Sequence, residues 1–251
     1  MVPTYTVHTL RLGTIRADKS TAVYGFPPGT VLDVPIWAAA VEGNGHRLLV
    51  DTGLKDAQKW SRYNPHSIAP DQTIDAALSG LGWQRRDVDL VINSHLHYDH
   101  AENNLAFPHA QLFVSRAEWE FAADPGSAQA GLYDLEWTGP DLTYLNYTIV
   151  HADHYDVLPG VRIIRTPGHT PGHQSLVVDG TYVLVGDACY CRLALDSDTL
   201  PPNAFDHARQ REGFAWLRHQ EAMGRTLVFS HDLAQWESLP PVLTRTRPGG
   251  A

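Results

Sequence analysis

The residues whose side chains are best suited to bind a metal ion lie in one short segment that carries three histidines and an aspartate. His95 and His97 are two positions apart, so in extended backbone their side chains point to the same side and can hold one cation. Asp99 and His100 follow where the chain turns, and they offer an oxygen and a nitrogen in another direction. Neutral imidazole and carboxylate groups suit Zn²⁺, Mn²⁺, Fe²⁺ or Co²⁺. The segment therefore predicts two neighbouring metal sites, against the alternative of a histidine-rich surface loop.

Three further metal-competent side chains stand near the ends of other apolar runs. They are His169, Asp187 and His231, and each follows a run with the composition of a buried strand. The segment from His95 to His100 also follows such a run. Open α/β sheets place their ligand sites at the carboxyl ends of the strands. The repetition predicts that these side chains converge on one site.

The elements that must position these residues are short, β-branched runs bounded by turn residues, which predict strands. The predicted strands are Tyr5–Leu12, Pro35–Val41, Arg47–Asp51, Val88–Asn93, Ala110–Ser115, Val161–Thr166, Gln174–Val178, Tyr182–Gly186 and Thr226–Ser230. Helices are predicted over Asp71–Gly80 and Asn203–Met223, with Asn203 as the N-terminal cap and Gly224 past the C-terminal end. The alternation predicts an α/β fold. Residues 118–147 fit neither period and are predicted to form an insert with short helices.

Composition narrows the class of protein further. The chain has 251 residues, which fits a single domain over 1–251, and a formal net charge of −9 without a run of Lys or Arg. That charge argues against nucleic acid as a partner, because phosphate binding needs clustered cations. Two cysteines two positions apart are poorly placed for a disulfide, and no stretch has the length and apolarity of a signal peptide core or a membrane helix. We expect a soluble, cytoplasmic protein without a membrane partner; a homodimer is left open.

The arrangement of these residues resembles the metallo-β-lactamase superfamily, an αββα sandwich with a dinuclear metal site at one edge of the sheets. The HxHxDH motif from His95 to His100 and the stretch Leu49–Gly53 carry the resemblance. The ligand assignment that it implies is one metal held by His95, His97 and His169, a second held by Asp99, His100 and His231, and Asp187 as the bridge. The implied cofactors are two divalent ions, with Zn²⁺ expected first and Co²⁺, Mn²⁺ or Fe²⁺ as alternatives. Asp51 would support the site from behind the ligands, although it could equally be a turn former.

Other histidines near acidic residues are interpreted as surface or supporting residues. His151 and His154 lie close to Asp153 and Asp156, but they precede a Pro-Gly turn, and the implied ligand set is complete without them. His173 neighbours His169 closely in sequence. We expect it to support the ligands rather than to bind metal.

A finer resemblance is to the N-acyl-homoserine lactonases. It lies in the segments Pro35–Trp37, Thr166–Ser175, Asp187–Tyr190 and Ser230–Asp232, and the matching motifs run from about residue 24 to 236. The implied function is metal-dependent opening of the lactone ring of N-acyl-homoserine lactones, which quenches quorum signalling. A metal-bridging hydroxide would attack the carbonyl carbon.

Two residues receive catalytic roles from this resemblance. Tyr190 would donate a hydrogen bond to the carbonyl oxygen, because a phenol with a pKa of about 10 stays protonated at neutral pH. The alternative for Tyr190 is an aromatic residue that only packs near a strand end. Asp99 would carry the proton to the ring oxygen as it leaves.

Substrate choice is less constrained by the sequence than the metal site is. The acyl tail is expected to lie on aromatic side chains, for which the candidates are Tyr24, Phe26, Trp119, Phe121, Trp137, Tyr144 and Tyr147. The alternatives are the same chemistry on another lactone, such as 4-pyridoxolactone, and thioester hydrolysis like that of glyoxalase II. Phosphodiester cleavage is disfavoured by the net charge. A metal-binding protein without catalytic activity is disfavoured by the full ligand set.

Overall fold

Two β-sheets are stacked face to face, and helices cover their outer surfaces. The computed structural model describes residues 4–22, 27–62, 64–138 and 144–244. The strands of these residues are β1 (Thr6–Asp18), β2 (Val31–Gly43), β3 (His46–Val50), β4 (His66–Ser67), β5 (Leu90–Ile92), β6 (Gln111–Ser115), β7 (Asn146–Val150), β8 (His154–Leu158), β9 (Val161–Arg165), β10 (Gln174–Val178), β11 (Tyr182–Gly186), β12 (Thr226–Phe229) and β13 (Val242–Thr244).

The helices are short, with one exception near the C-terminal end. They are α1 (Lys19–Ala22), α2 (Ala57–Trp60), α3 (Ile74–Gly80), α4 (Tyr98–Ala101), α5 (Arg116–Ala123), α6 (Gly126–Gln129), α7 (Leu135–Thr138), α8 (Arg192–Asp196), α9 (His207–Ala222) and α10 (Leu233–Ser238). Single 3₁₀ turns lie at Pro70–Gln72, Arg85–Asp87, Asn104–Ala106 and Ala130–Leu132. Within the described ranges, no helix is long and apolar enough to cross a membrane.

The strand order brings the ends of several parallel strands to one edge. The larger sheet runs β13-β1-β2-β3-β5-β6-β7, with β4 paired to β1, and the smaller runs β12-β11-β10-β9-β8. Strands β3, β5, β6 and β7 are parallel neighbours, as are β11 and β12 in the other sheet. In the larger sheet β3 leads directly into Asp51, and β5 leads into the segment that contains His95. In the smaller sheet β11 leads into Asp187, and β12 leads into His231.

Three apolar clusters define four layers. One cluster fills the space between the sheets with residues such as Trp37 from the larger sheet and Leu176 from the smaller. A second packs Trp60 and Leu78 from the helices onto the outer face of the larger sheet. The third packs Phe214 of α9 onto the outer face of the smaller sheet. Burial of one such side chain stabilises the fold by about 1.5–3 kcal/mol. The αββα sandwich is confirmed.

The start of the longest helix differs from the sequence prediction. Helix α9 begins at His207 because Asp206 caps it, with a carboxylate oxygen that accepts the N–H groups of Ala208 (2.9 Å) and Arg209 (3.0 Å). The predicted cap, Asn203, lies outside the helix. Gly224 has a φ of +81°, the left-handed conformation expected past the end.

Other boundaries differ by a few residues at element ends and in edge strands. Helix α3 begins after Thr73, whose hydroxyl caps it, whereas the predicted start lies in the preceding 3₁₀ turn. The predicted insert does contain the short helices α5, α6 and α7, but its last residues belong to strand β7. Strands β4, β7, β8 and β13 were not predicted. All four are short, β4 pairs only with β1, and the other three lie at sheet edges, where partial exposure removes the apolar run that marks a central strand.

Candidate active site

The seven predicted metal ligands come together in one buried cluster. Their ligand atoms form three groups, and within each group all atoms lie within 4.8 Å of one another. The groups are His95–His97–His169, His95–His100–Asp187 and Asp99–His100–His231. None of the seven residues is more than 9% exposed. Segments that are distant in sequence therefore place five imidazoles and two carboxylates around one shared space.

The carboxylate of Asp187 lies between the two outer groups. Its Oδ2 is 3.3 Å from Nε2 of His169 and 3.9 Å from Nε2 of His95. Its Oδ1 is 3.4 Å from Nε2 of His100 and 3.3 Å from Nε2 of His231. Burial alone would raise the pKa of Asp187, but His100 and His231 hold that pKa well below its usual value. An ionised carboxylate with one oxygen toward each group has the geometry that bridging requires.

Unpaired ring nitrogens in this cluster indicate that it is built for cations. Nε2 of His95, His97 and His100 is buried without a hydrogen-bond partner, although buried polar atoms are normally paired. Burial and the neighbouring imidazoles lower the pKa values of His95 and His97 well below the usual range, and burial lowers the pKa of His169 to about 4. Neutral imidazole is the form that binds a metal ion. For His100 and His231, burial is outweighed by the negative charge of Asp187, so their pKa values are raised instead. The five imidazoles and two carboxylates are donors of the kind that fits two divalent ions.

Asp51 combines the two roles that the sequence left open. It has a φ of +62°, a left-handed conformation that Asp tolerates better than most residues, so it does form a turn. Its Oδ1 accepts the N–H of Ser94 (2.7 Å), and its Oδ2 lies 2.8 Å from Nδ1 of His100. The carboxylate therefore accepts the Nδ1 proton of His100 and leaves Nε2 free to face Asp187.

His173 contacts the backbone of the central aspartate. Its Nε2 accepts the N–H of Asp187 (2.8 Å), and its Nδ1 lies 3.1 Å from the carbonyl oxygen of Thr166. Burial lowers the pKa of His173 to about 3, so the ring is neutral and one nitrogen is free to accept. Gly186, with a φ of +59°, permits this approach, since a Cβ there would lie 2.7 Å from Nε2 of His173. His173 lies outside the three groups of ligand atoms and orients Asp187.

Several supporting residues were not predicted from the sequence. The hydroxyl of Ser94 donates to Asp51 (2.8 Å), and that of Ser230 donates to Asp187 (2.8 Å). Nδ1 of His231 lies 2.8 Å from the carbonyl oxygen of Pro35, which fixes the ring with Nε2 toward the site. Both serines directly precede a predicted ligand, and that adjacency is the signal that could have identified them.

Tyr190 lies at the edge of the cluster, with its hydroxyl next to a residue predicted for another role. The hydroxyl oxygen is 3.4 Å from Nδ1 of His169, and 3.1 Å from Nδ2 of Asn203. Burial, with the nearby charge of Asp187, raises the pKa of Tyr190 well above its usual value. The phenol is therefore protonated at neutral pH, and Asn203 positions it instead of capping α9. The backbone oxygen of Asn203 in turn accepts from Gln129 (3.3 Å).

The aromatic residues predicted to hold an acyl tail are mostly elsewhere. Tyr24 and Phe26 lie outside the described residues. Trp137 has no exposed surface, and its indole N–H donates to the carbonyl oxygen of Leu96, so it supports the segment that carries His95 and His97 instead of lining a pocket. Trp119 packs on Tyr147 (ring centroids 4.8 Å apart) beside the apolar cluster between the helices and the outer face of the larger sheet. Tyr144 is 57% exposed, and its hydroxyl points toward Glu136.

A different row of rings leads outward from the cluster. The ring of Tyr133 lies 4.7 Å from that of His97 and 5.9 Å from that of Phe121. Phe121 is in turn 5.0 Å from Phe205, which is 54% exposed. These rings connect the buried histidines with the surface. Of them, only Phe121 was among the sequence candidates, because no periodicity identifies which aromatic residues face a site.

A second group of histidines and aspartates lies close together in the sequence, at His151, Asp153, His154 and Asp156. These residues are exposed, and they do not form a ligand group in the part of the chain that the structure describes. Cys189 and Cys191 are free thiols. The interpretation of these histidines as surface residues agrees with their placement.

Known proteins are similar in sequence to this chain. Residues 31–230 match the family model described as the metallo-beta-lactamase superfamily. The N-acyl homoserine lactonase of Bacillus cereus is 31% identical over 239 residues, which cover 89% of this chain and 91% of that protein. The N-acyl homoserine lactonase AiiA of Bacillus thuringiensis subsp. kurstaki is 31% identical over 242 residues, which cover 90% and 92%.

Solved structures agree with the sequence relatives. A structure of N-acyl homoserine lactone hydrolase, with the product N-hexanoyl-L-homoserine bound at the catalytic metal centre, superposes with a TM-score of 0.81 at 28% identity. A variant of B. thuringiensis AiiA with N-decanoyl-L-homoserine at its active site gives the same TM-score and identity. Each alignment covers 94% of this chain and 96% of the other. The chain belongs to the metallo-beta-lactamase superfamily and, within it, to the family of the N-acyl homoserine lactonases.

Proposed function

We propose that this chain is a metal-dependent hydrolase that opens the lactone ring of N-acyl-homoserine lactones. The observation that carries the proposal is the position of Asp187, whose two oxygens face two separate sets of ligand atoms. The names of the sequence relatives and the products bound in the structural neighbours support the substrate class.

The side chains that would hold the metals follow from the groups described above. His95, His97 and His169 would hold one ion, Asp99, His100 and His231 the other, and Asp187 both. When bound, such ions polarise a carbonyl oxygen and make water reactive at neutral pH. Nitrogen and oxygen donors of this kind suit Zn²⁺ first, with Co²⁺, Mn²⁺ and Fe²⁺ as alternatives.

Tyr190 is proposed to stabilise the charge that develops on the lactone carbonyl oxygen. Both amide atoms of Asn203 lie within hydrogen-bond distance of the phenol oxygen, Nδ2 at 3.1 Å and Oδ1 at 3.2 Å. When Nδ2 donates to the phenol oxygen, the phenol proton is available to the substrate. A donor held in place before the reaction stabilises a transition state without reorganisation. The site is buried, so the hydrogen bond would act in a medium that screens charge less than water does.

Asp99 is proposed to handle the proton of the leaving group. Ring opening adds water across the ester bond, so the ring oxygen must gain a proton as its bond to the carbonyl carbon breaks. Asp99 Oδ2 lies 3.7 Å from Nε2 of His100 and 3.8 Å from Nε2 of His231, at the end of the cluster opposite His97 and His169. A carboxylate oxygen there can accept the proton that the attacking water gives up and pass it to the ring oxygen, so that both parts of the water are accounted for.

A panel of lactones tests the proposed substrate class. Purified, metal-loaded protein should hydrolyse N-acyl-homoserine lactones, followed by acid release at constant pH. Chelation should stop this turnover, and a divalent transition metal should restore it. Activity on 4-pyridoxolactone or on thioesters, with none on acyl-homoserine lactones, would assign the site to a different substrate.

The row of rings predicts where the acyl tail lies. Phe205 also lines a surface groove of about 650 Å³, whose lining combines apolar residues such as Pro171 and Trp216 with charged ones. A tail that passes Phe121 would reach the apolar part of this groove at Phe205. Each buried methylene contributes about 0.8 kcal/mol. We expect Phe205→Ala to lower kcat/KM for an N-decanoyl lactone by about tenfold, which is the contribution of about two methylenes. The kcat/KM for an N-butanoyl lactone should change little, because its tail is too short to reach Phe205.

A matched control separates this effect from a general loss of exposed apolar surface. Met223, which is 56% exposed at the end of α9, offers a similar truncation away from the row of rings. Met223→Ala should leave the preference for tail length unchanged. Equal losses for short and long tails in Phe205→Ala would place the tail on a different surface.

A further inference from the structure

Glu118 is a buried carboxylate that none of the roles assigned so far uses. It lies in the first turn of α5 and has no exposed surface. Its Oε1 accepts the N–H of Leu96 (3.0 Å) and the hydroxyl of Tyr133 (2.8 Å), and its Oε2 accepts the hydroxyl of Thr170 (2.5 Å). Burial raises the pKa of this carboxyl, but these donors oppose that shift by stabilising the ionised form. A buried carboxylate that lost one of these donors would destabilise the fold, because an unpaired polar group is unfavourable in the protein interior.

The donors belong to the two loops that supply one group of candidate ligands. Leu96 lies between His95 and His97, and Thr170 directly follows His169. The carboxylate thus spans the gap between these loops, at a place where Nδ1 of His97 and Nε2 of His169 are only 3.1 Å apart. A displacement of either loop would change this separation.

The backbone of Glu118 is fixed to the second loop as well. The hydroxyl of Ser115 accepts the N–H of Glu118 (3.1 Å) and donates to the carbonyl oxygen of Gly172 (2.6 Å). A Cβ on Gly172 would lie 1.9 Å from the backbone nitrogen of Glu118, so only glycine permits this contact. On the other side, the indole of Trp137 donates to the carbonyl oxygen of Leu96 (3.1 Å). The peptide groups of Leu96 are therefore held from both directions by the helical insert.

We propose that Glu118 is a positioning residue that sets the separation between the His95–His97 segment and His169, and thereby the metal affinity of that ligand group. The inference rests on the proposed role of these histidines as metal ligands. It assigns to the insert a function in metal binding, in addition to any contact with the acyl tail. Residues behind the ligands typically change metal affinity 10–100-fold when they are removed.

Two variants distinguish positioning from a general contribution to stability. Glu118→Ala removes all three contacts of the carboxylate and should weaken one of the two metal-binding constants by about 10–100-fold. Glu118→Gln should bind metal much as the natural protein does. Its amide oxygen can accept from Leu96 and Tyr133, while its NH₂ donates to Thr170, whose hydroxyl can accept as well as donate.

The measurement is a titration of chelator-stripped protein with Zn²⁺ in competition with a chromogenic chelator, together with thermal unfolding of the metal-free form. The matched control is Glu102→Ala. Glu102 is a second buried carboxylate with three donors, the N–H groups of Lys55 and Asp56 and the indole of Trp60, all outside the ligand loops that Glu118 joins. Glu102→Ala should lower the thermal stability of the metal-free protein and leave the Zn²⁺ affinity of the His95–His97–His169 group unchanged.

The outcomes decide the inference separately from the proposed function. A weaker constant in Glu118→Ala that is restored in Glu118→Gln supports it. Unchanged constants in both variants, or equal losses in both, contradict a geometric role. If Glu118→Ala does not fold, Thr170→Val removes a single hydroxyl and should weaken the same constant, and no change there contradicts the inference. Protein that binds both metals but opens no lactone would refute the proposed function only.

Discussion

Replacement of Asp187 by Asn is expected to reduce bound metal from two ions per chain to about one or none and to abolish most activity. The charge of this carboxylate faces Nε2 of His169 on one side and Nε2 of His100 and His231 on the other, so one substitution affects both groups. Removal of one hydrogen-bond donor that stabilises the transition state lowers the kcat of an enzyme by roughly 10²–10³-fold. We expect kcat/KM to fall by at least about 10³-fold, because Asp187→Asn disturbs both metals at once.

The fold should survive this substitution. An asparagine side chain keeps an oxygen that can accept the hydroxyl of Ser230, and the contact between His173 and residue 187 uses the backbone N–H. Elemental analysis and circular dichroism of the purified variant measure the two effects separately. Asp156→Asn is the matched control, since Asp156 is exposed and pairs with Arg162. Full metal content in Asp187→Asn would remove the bridging role.

The positions of most metal-competent residues follow from the sequence because buried strands with a parallel neighbour precede them. His169 is the exception, since it follows β9, whose neighbours are antiparallel. Strands β3, β5, β11 and β12 are apolar, and their ends lie at one edge as the rule for α/β sheets requires. The sequence pattern alone therefore predicts that the motif at His95–His100 and the single residues Asp187 and His231 lie at this edge. The strand and helix pattern predicted only an α/β fold, and the resemblance to the superfamily implied the αββα layers.

Contacts over long sequence separations could not be predicted in this manner. Asn203 and Asp206 are both good caps, and local propensity cannot choose between them. The choice depends on the contact of Asn203 with Tyr190, which is a tertiary one. Glu118 likewise contacts Leu96 and Thr170, which are 22 and 52 positions away in the sequence, and nothing in its own helix marks it as buried. The insert therefore had to be seen folded before its polar residues could be connected with the metal site.

Substitution of Tyr190 by Phe is expected to lower kcat by about 10²-fold while metal content stays unchanged. The ring would keep its contacts with His169 and His231, whose centroids lie 5.6 Å and 5.3 Å away, so only the hydroxyl is lost. Because that hydroxyl is proposed to act at the ring carbonyl, the loss should be the same for short and long acyl tails. This pattern differs from the tail-dependent loss expected for Phe205→Ala. Steady-state kinetics with two tail lengths, and elemental analysis, provide both readouts.

A second substitution examines how the hydroxyl is held. Asn203→Ala keeps the phenol but removes the amide that lies 3.1 Å from it, so it should produce part of the same loss in kcat and add little in combination with Tyr190→Phe. Tyr155→Phe, at an exposed position of β8, controls for the loss of a tyrosine hydroxyl elsewhere. Additive losses in the double variant would show that Asn203 acts independently of the phenol. Unchanged kinetics in Tyr190→Phe would reduce Tyr190 to a packing residue, which was the alternative drawn from the sequence.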